Sequence, residues 1–189
     1  DFTNNKKIWI LLFIGSLPLI LLGYVVYKYN IYDSIRNIEI IAWSTLIFGI
    51  FLYISDKFIQ SKSLKNNLNI KNIITIGLIQ ILALIPGASR SGVVITGSRF
   101  LKFSRHDAAK ISFILSIPAL LGASFLTIND TFLIKETLNL NIILGIIFSY
   151  IFSYLTIKYF LIYTRSFSLN FFVLYRILLS LILFTFIYF

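Results

Sequence analysis

The sequence predicts an all-α membrane protein: a polytopic helical bundle of about five transmembrane helices plus one re-entrant helical hairpin, half of an inverted-repeat architecture. Three observations carry that prediction. Of 189 residues, 58% are hydrophobic and only 13% charged, well outside the balance of water-soluble domains. Five apolar runs reach or approach the roughly 20 helical residues that a bilayer core of about 30 Å requires. A sixth run is broken in its middle by Pro86-Gly87-Ala88-Ser89-Arg90-Ser91-Gly92, and neither flank alone is long enough to cross.

The first run, residues 8–27, carries Gly15, Pro18 and Gly23 inside an otherwise continuous apolar stretch, as membrane helices tolerate. A connection with Asp33 and Arg36 leads to the second run, 38–55, where Trp43 and Tyr53 read as lipid-facing bulk. Residues 56–71 are the most polar loop, with Lys57, Lys62, Lys65 and Lys71. The broken run follows, and its two half-helices define a hairpin at about 73–101. A basic stretch then carries Arg99, Lys102, Arg105, His106, Asp107 and Lys110 before the third run, 108–126, which contains Pro118 and Gly122. A loop at 129–139 holds Asp130, Lys135 and Glu136. The fourth and fifth runs, 142–162 and 171–189, flank Thr164, Arg165 and Ser166. The whole chain, 1–189, reads as one integral membrane domain.

Charge placement supports the hairpin independently. The net charge is +10, and the bases lie beside apolar spans, as topology signals do, so a membrane surface and not nucleic acid is the expected partner. If 73–101 enters and leaves by one face, Lys6, Lys7, the lysine loop, the basic stretch and Arg165 share a side; if it crosses, that asymmetry largely vanishes. The positive-inside bias therefore puts the open end of the hairpin at the cytoplasm. The chain has no cysteine and one histidine, which excludes disulfides, thiol chemistry and a multi-histidine metal site.

The tip of the hairpin has the chemistry of an anion site. A guanidinium among apolar segments is costly unless it meets protein, water or an anion, so Arg90 reads as functional by default. Gly87 and Gly92 leave backbone N–H groups open, Ser89 and Ser91 add hydroxyl donors, and the half-helix starting near Gly92 points its positive end at the loop. Arg90 offers a planar fork that matches two phosphate oxygens. The bland alternative is a Pro/Gly kink with Arg90 paired to a carboxylate elsewhere.

These residues carry a resemblance. Gln80 through Gly92, the stretch Ala108-Ala109-Lys110-Ile111-Ser112-Phe113-Ile114-Leu115-Ser116-Ile117-Pro118-Ala119, and Tyr175-Arg176-Ile177 resemble the bacterial undecaprenyl pyrophosphate phosphatase family, also called the bacitracin-resistance family. The resemblance implies a hydrolase of the bacterial inner membrane that removes phosphate from a polyprenyl pyrophosphate lipid, with Mg²⁺ or Ca²⁺ as cofactor and a pocket open to the periplasm. It also implies an earlier hairpin bearing a glutamate-rich E-x-x-x-E element that supplies the metal ligands. No such element occurs in these 189 residues, so the chain resembles the family's C-terminal two-thirds, with no metal ligand expected in this chain. On that reading Arg90, Ser89 and Ser91 are the catalytic residues, Gly87, Gly92, Gln80 and Thr96 bind substrate, and a homodimer is a further expectation. Val93-Val94 and Ser98 depart from the usual family pattern.

Weaker expectations attach to other residues. Gln80, polar in an apolar run, calls for a hydrogen-bond partner between helices. His106 lies in the basic stretch, away from catalysis, and Arg176 is expected to snorkel or to pair structurally. Two other classes stay open: a lipid or anion transporter of inverted-repeat type, which needs a pathway to both faces, and a non-catalytic membrane subunit.

Overall fold

A computed structural model describes residues 6–31, 35–133 and 140–188, and the described residues hold eight α-helices. They are α1 (Lys6–Lys28), α2 (Ile38–Asp56), α3 (Leu64–Asn67), α4 (Ile70–Gln80), α5 (Arg90–Phe100), α6 (Arg105–Leu133), α7 (Leu140–Ser166) and α8 (Asn170–Tyr188). Five of them, α1, α2, α6, α7 and α8, are long and apolar enough to cross a membrane. Asp33, Lys135, Glu136 and Phe189 lie outside the described residues.

Capping side chains set the helix starts. Asn37 accepts the Ile40 N–H at 2.7 Å and opens α2; Asn69 accepts the Asn72 N–H at 2.8 Å and opens α4, three residues before the expected start of the hairpin. Ser104 accepts the Asp107 N–H at 3.0 Å, with Asp107 in the favourable first turn. Of the basic stretch, Arg105, His106, Asp107 and Lys110 therefore lie in the first turns of α6, Arg99 lies in the last turn of α5 and Lys102 in the turn between them. At its other end α6 continues to Leu133, so residues 129–133 of the expected loop are helical.

The hairpin is α4, a 3₁₀ turn over Ile81–Leu84, the loop 85–89, and α5. An 11-residue helix rises only about 16 Å, roughly half of a bilayer core. Both open ends lie together, because the Ser61 and Lys62 N–H groups donate to the Lys102 carbonyl beyond α5, at 3.0 and 3.1 Å. Helix α1 packs along α4 closely enough that a Cβ on Gly77 would run into the carbonyl of Gly15. Around that contact Leu11, Leu12, Ile73, Ile76, Phe103 and Ile111 form the main apolar core.

One carboxylate ties the basic end together. Asp56, the last residue of α2, accepts from Arg105 Nε at 2.6 Å and Nη2 at 3.0 Å, and from the Leu169 N–H at the start of α8 at 3.2 Å. Arg99, at the end of α5, donates to the main-chain carbonyls of Asp56 (3.1 Å), Phe58 (2.6 Å) and Phe103 (2.6 Å). Asp56 and Arg99 are almost fully buried. The ends of α2 and α5 and the starts of α6 and α8 thus meet at Asp56, which the sequence places in the polar loop. His106 beside them has Nδ1 3.0 Å from the Leu161 carbonyl, a link between α6 and α7.

Helix α7 stands outermost. No residue of its apolar window is buried, and it touches the bundle through ring contacts of Phe160 with Phe113 and Phe172.

Candidate active site

The loop between the half-helices is held by α2 and α8. Ser44 of α2 donates to the Pro86 carbonyl and Thr45 to that of Gly87 at 3.3 Å. Arg176 of α8 donates from Nη2 to the carbonyls of Gly87 (2.9 Å) and Ala88 (2.8 Å), and from Nε to that of Thr45 at 3.4 Å. Gly87 has φ +87°, a left-handed conformation at no steric cost only for glycine. Ser89, at φ +65°, adopts the same region with a side chain, a strain that persists where surroundings over-determine it and that clusters at functional sites. Its reward is the cap: Ser89 Oγ accepts the Gly92 N–H at 3.3 Å and lies 3.4 Å from Ser91 Oγ.

Two cavities flank the loop. The first, about 480 Å³, has Gly87, Ser89, Ser91, Gly92 and Arg176 at its polar end and apolar walls from α2, α5, α7 and α8. The second, about 500 Å³, lies between α1 and α6; Arg90 lines it, together with Leu19, Tyr27, Gly122 and Leu126. The loop is thus the wall between them, with the two serines on one side and Arg90 on the other. Arg90 is half-buried and, among the described residues, has no hydrogen-bond or ion-pair partner, so no described carboxylate neutralises it. The first cavity extends to Leu169 and Phe172, beside the Asp56 end of the bundle. The second follows α1 towards Tyr27 and Asn30, at the opposite end.

Gln80 and Thr96 line neither cavity. Both are buried inside the hairpin, and the Gln80 amide nitrogen and oxygen and the Thr96 hydroxyl have no partner there. The interhelical hydrogen bond expected of Gln80 is absent among the described residues. Arg176 is the site residue whose direction the sequence does not reveal: the guanidinium turns inward and grips the loop, and the residue is 7% exposed. A basic residue in an apolar run whose acidic partners are all at helix ends was the available signal.

A divalent cation does not fit the described donor set. Neither cavity is lined by a carboxylate, the carbonyls of Gly87 and Ala88 are taken by Arg176, and no group of three potential ligands occurs among the described residues. The charged side chains that line the two cavities are instead the guanidiniums of Arg176 and Arg90.

Fold and site together define a multi-pass helical membrane protein in which a loop between two half-helices is held among the long helices. The chain belongs to the family described as bacitracin resistance protein BacA, whose sequence model matches residues 2–182. It is 49% identical over 189 residues to a protein of Pelagibacter ubique named undecaprenyl-diphosphatase, covering 100% of this chain and 74% of that one. Proteins of the same name from Elusimicrobium minutum and Alteromonas mediterranea are 38% and 35% identical, over 96% and 98% of this chain and 68% and 70% of theirs.

Proposed function

We propose that the protein acts as a polyprenyl-diphosphate phosphatase, converting undecaprenyl diphosphate to undecaprenyl phosphate in the bacterial plasma membrane and so returning the carrier lipid to cell-wall synthesis. The observation that carries this reading is the 49% identity, over the whole chain, to a protein named for that activity. In this reading the hairpin is re-entrant from the cytoplasmic side, where the basic end gathers Arg99, Lys102 and Arg105, and the Arg90 cavity faces the other side.

The chemistry asked of the loop is charge neutralisation. Water adds to the terminal phosphorus, the bridging P–O bond breaks, and the negative charge of the transferring phosphoryl group must be met by fixed donors. Arg90, without a partner among the described residues, is the group free to do this from one side of the loop, and the strained Ser89 and its neighbour Ser91 offer hydroxyls from the other. Gly87 and Gly92 open the backbone. The Mg²⁺ or Ca²⁺ implied by the family resemblance would be held by groups other than the described residues and would add to the neutralisation of phosphate charge.

Phosphate release from undecaprenyl diphosphate by the full chain in liposomes tests the reading. Arg90→Ala is expected to lower kcat by roughly 100-fold or more, the scale of losing one fixed transition-state donor. Unchanged release in that variant overturns the assignment.

The two cavities support a second reading, because they run from the loop towards opposite ends of the bundle. A lipid or anion transporter needs such a pair. Movement of a fluorescent polyprenyl phosphate between leaflets, in vesicles where no phosphate is released, would favour transport over hydrolysis.

A further inference from the structure

We propose that the groove between α6 and α7, on the outside of the bundle, seats an anionic glycerophospholipid, its headgroup on Lys110, Lys158 and Arg165 and its acyl chains along α7. Two facing stripes make the groove. On α6, His106, Lys110, Phe113 and Ile117 recur at steps of four, three and four; on α7, Ile151, Tyr154, Lys158, Leu161 and Arg165 recur at steps of three and four. Each set therefore shares one face of its helix. The stripes meet at the basic end, where His106 Nδ1 is 3.0 Å from the Leu161 carbonyl and Phe113 packs edge-on to Phe160. Beyond that junction Ile117, Tyr154 and Ile151 are exposed, a surface suited to hydrocarbon.

Charge selects the occupant. Lys110 and Arg165 both act electrostatically on the His106 ring, as does Asp107, so bases of the two helices gather at one point. The Asp107 carboxylate is engaged by the Leu64 N–H at 3.2 Å, on another side of α6. Lys158 and Arg165 are exposed and have no hydrogen-bond or ion-pair partner among the described residues. Lys158 also stands inside the apolar span, about 12 Å along α7 from its last residue, Ser166. An ionisable group at that depth calls for a counter-charge, and basic pockets between membrane helices take anionic lipid heads. A lipid seated there bridges α6 to the outermost helix. Phe160, at the same junction, lines the cavity at the loop as well, so the bridge steadies one wall of that cavity.

Native mass spectrometry of the full chain, titrated in detergent with dioleoyl phosphatidylglycerol or dioleoyl phosphatidylcholine, tests this without measuring turnover. Phosphatidylglycerol is expected to half-saturate the chain at a concentration at least tenfold lower than phosphatidylcholine, a comparison that needs no variant. Lys158→Gln combined with Arg165→Gln should raise that concentration about tenfold, since each base near an anionic headgroup contributes separately. Lys65→Gln combined with Lys71→Gln removes the same charge from α3 and α4 and should leave it within twofold. All four side chains are exposed, and the charge-state distribution in the same spectra reports whether each variant is folded. Equal binding of the two lipids, an equal effect of the two double variants, or a dimer in place of the lipid adduct overturns the proposal. None of these outcomes depends on the hydrolase reading.

Discussion

Arg176, on the last helix, holds the carbonyl of Gly87 at 2.9 Å, 89 residues away along the chain. Its second bond from the same nitrogen, to Ala88 at 2.8 Å, makes α8 the clamp of the loop. Arg176→Ala would leave the Ala88 carbonyl without a donor and that of Gly87 with Thr45 alone, and each bond lost to a charged donor costs about 1–3 kcal/mol. The expected result is a loss of about 2–5 kcal/mol in detergent unfolding, with faster amide exchange confined first to residues 85–92. Arg176→Lys should recover part of it, since an ammonium donates but lacks the planar fork.

Arg90→Gln should leave stability within about 0.5 kcal/mol of the parent, as substitutions away from buried networks usually do, because Arg90 bonds to no described residue. Thermal unfolding beside phosphate release checks this: a large fall in melting temperature would mean that the guanidinium is structural.

Asp56→Asn keeps the shape but removes the charge that meets Arg105 at 2.6 Å and Arg99 at 3.7 Å. Breaking a buried pair by removing one partner costs about 3–5 kcal/mol. Arg105→Met should cost less, because that side chain is 34% exposed and water screens its loss. Denaturant unfolding of the two variants tests the order.

Gly87→Ala should destabilise by about 1–3 kcal/mol, combining the left-handed backbone with overpacking. A Cβ there would come within 2.7 Å of the Ile41 carbonyl of α2. Ala88→Gly, one residue on, is the comparison: a weaker effect at 87 than at 88, read from melting temperatures, would show that the loop conformation is not the constraint.

The five long helices were legible because a lipid solvent leaves each span a continuous apolar window, whatever its neighbours. The hairpin was legible because its flanks are each too short to cross. Three features were hidden for physical reasons. Asp56 looks like the first residue of a polar loop, and only the folded chain brings Arg105 and the Leu169 N–H to it from 49 and 113 residues away. Successive helical residues project about 100° apart, so a contiguous S-R-S motif is parted between two cavities once α5 begins at Arg90. The extension of α6 through Leu133 was missed because polar Asn129 and Asp130 end the apolar window but not the backbone hydrogen bonding.

The Asp56 junction gives the bundle unequal stiffness. Four chain segments are riveted at one end through a buried carboxylate, whereas at the other end α2 and α8 are joined by a 3.4 Å contact between the exposed side chains of Tyr188 and Glu39. The bundle is therefore braced at the Asp56 end, and the cavity that Arg90 lines, between α1 and α6, runs away from that brace towards Tyr27 and Asn30.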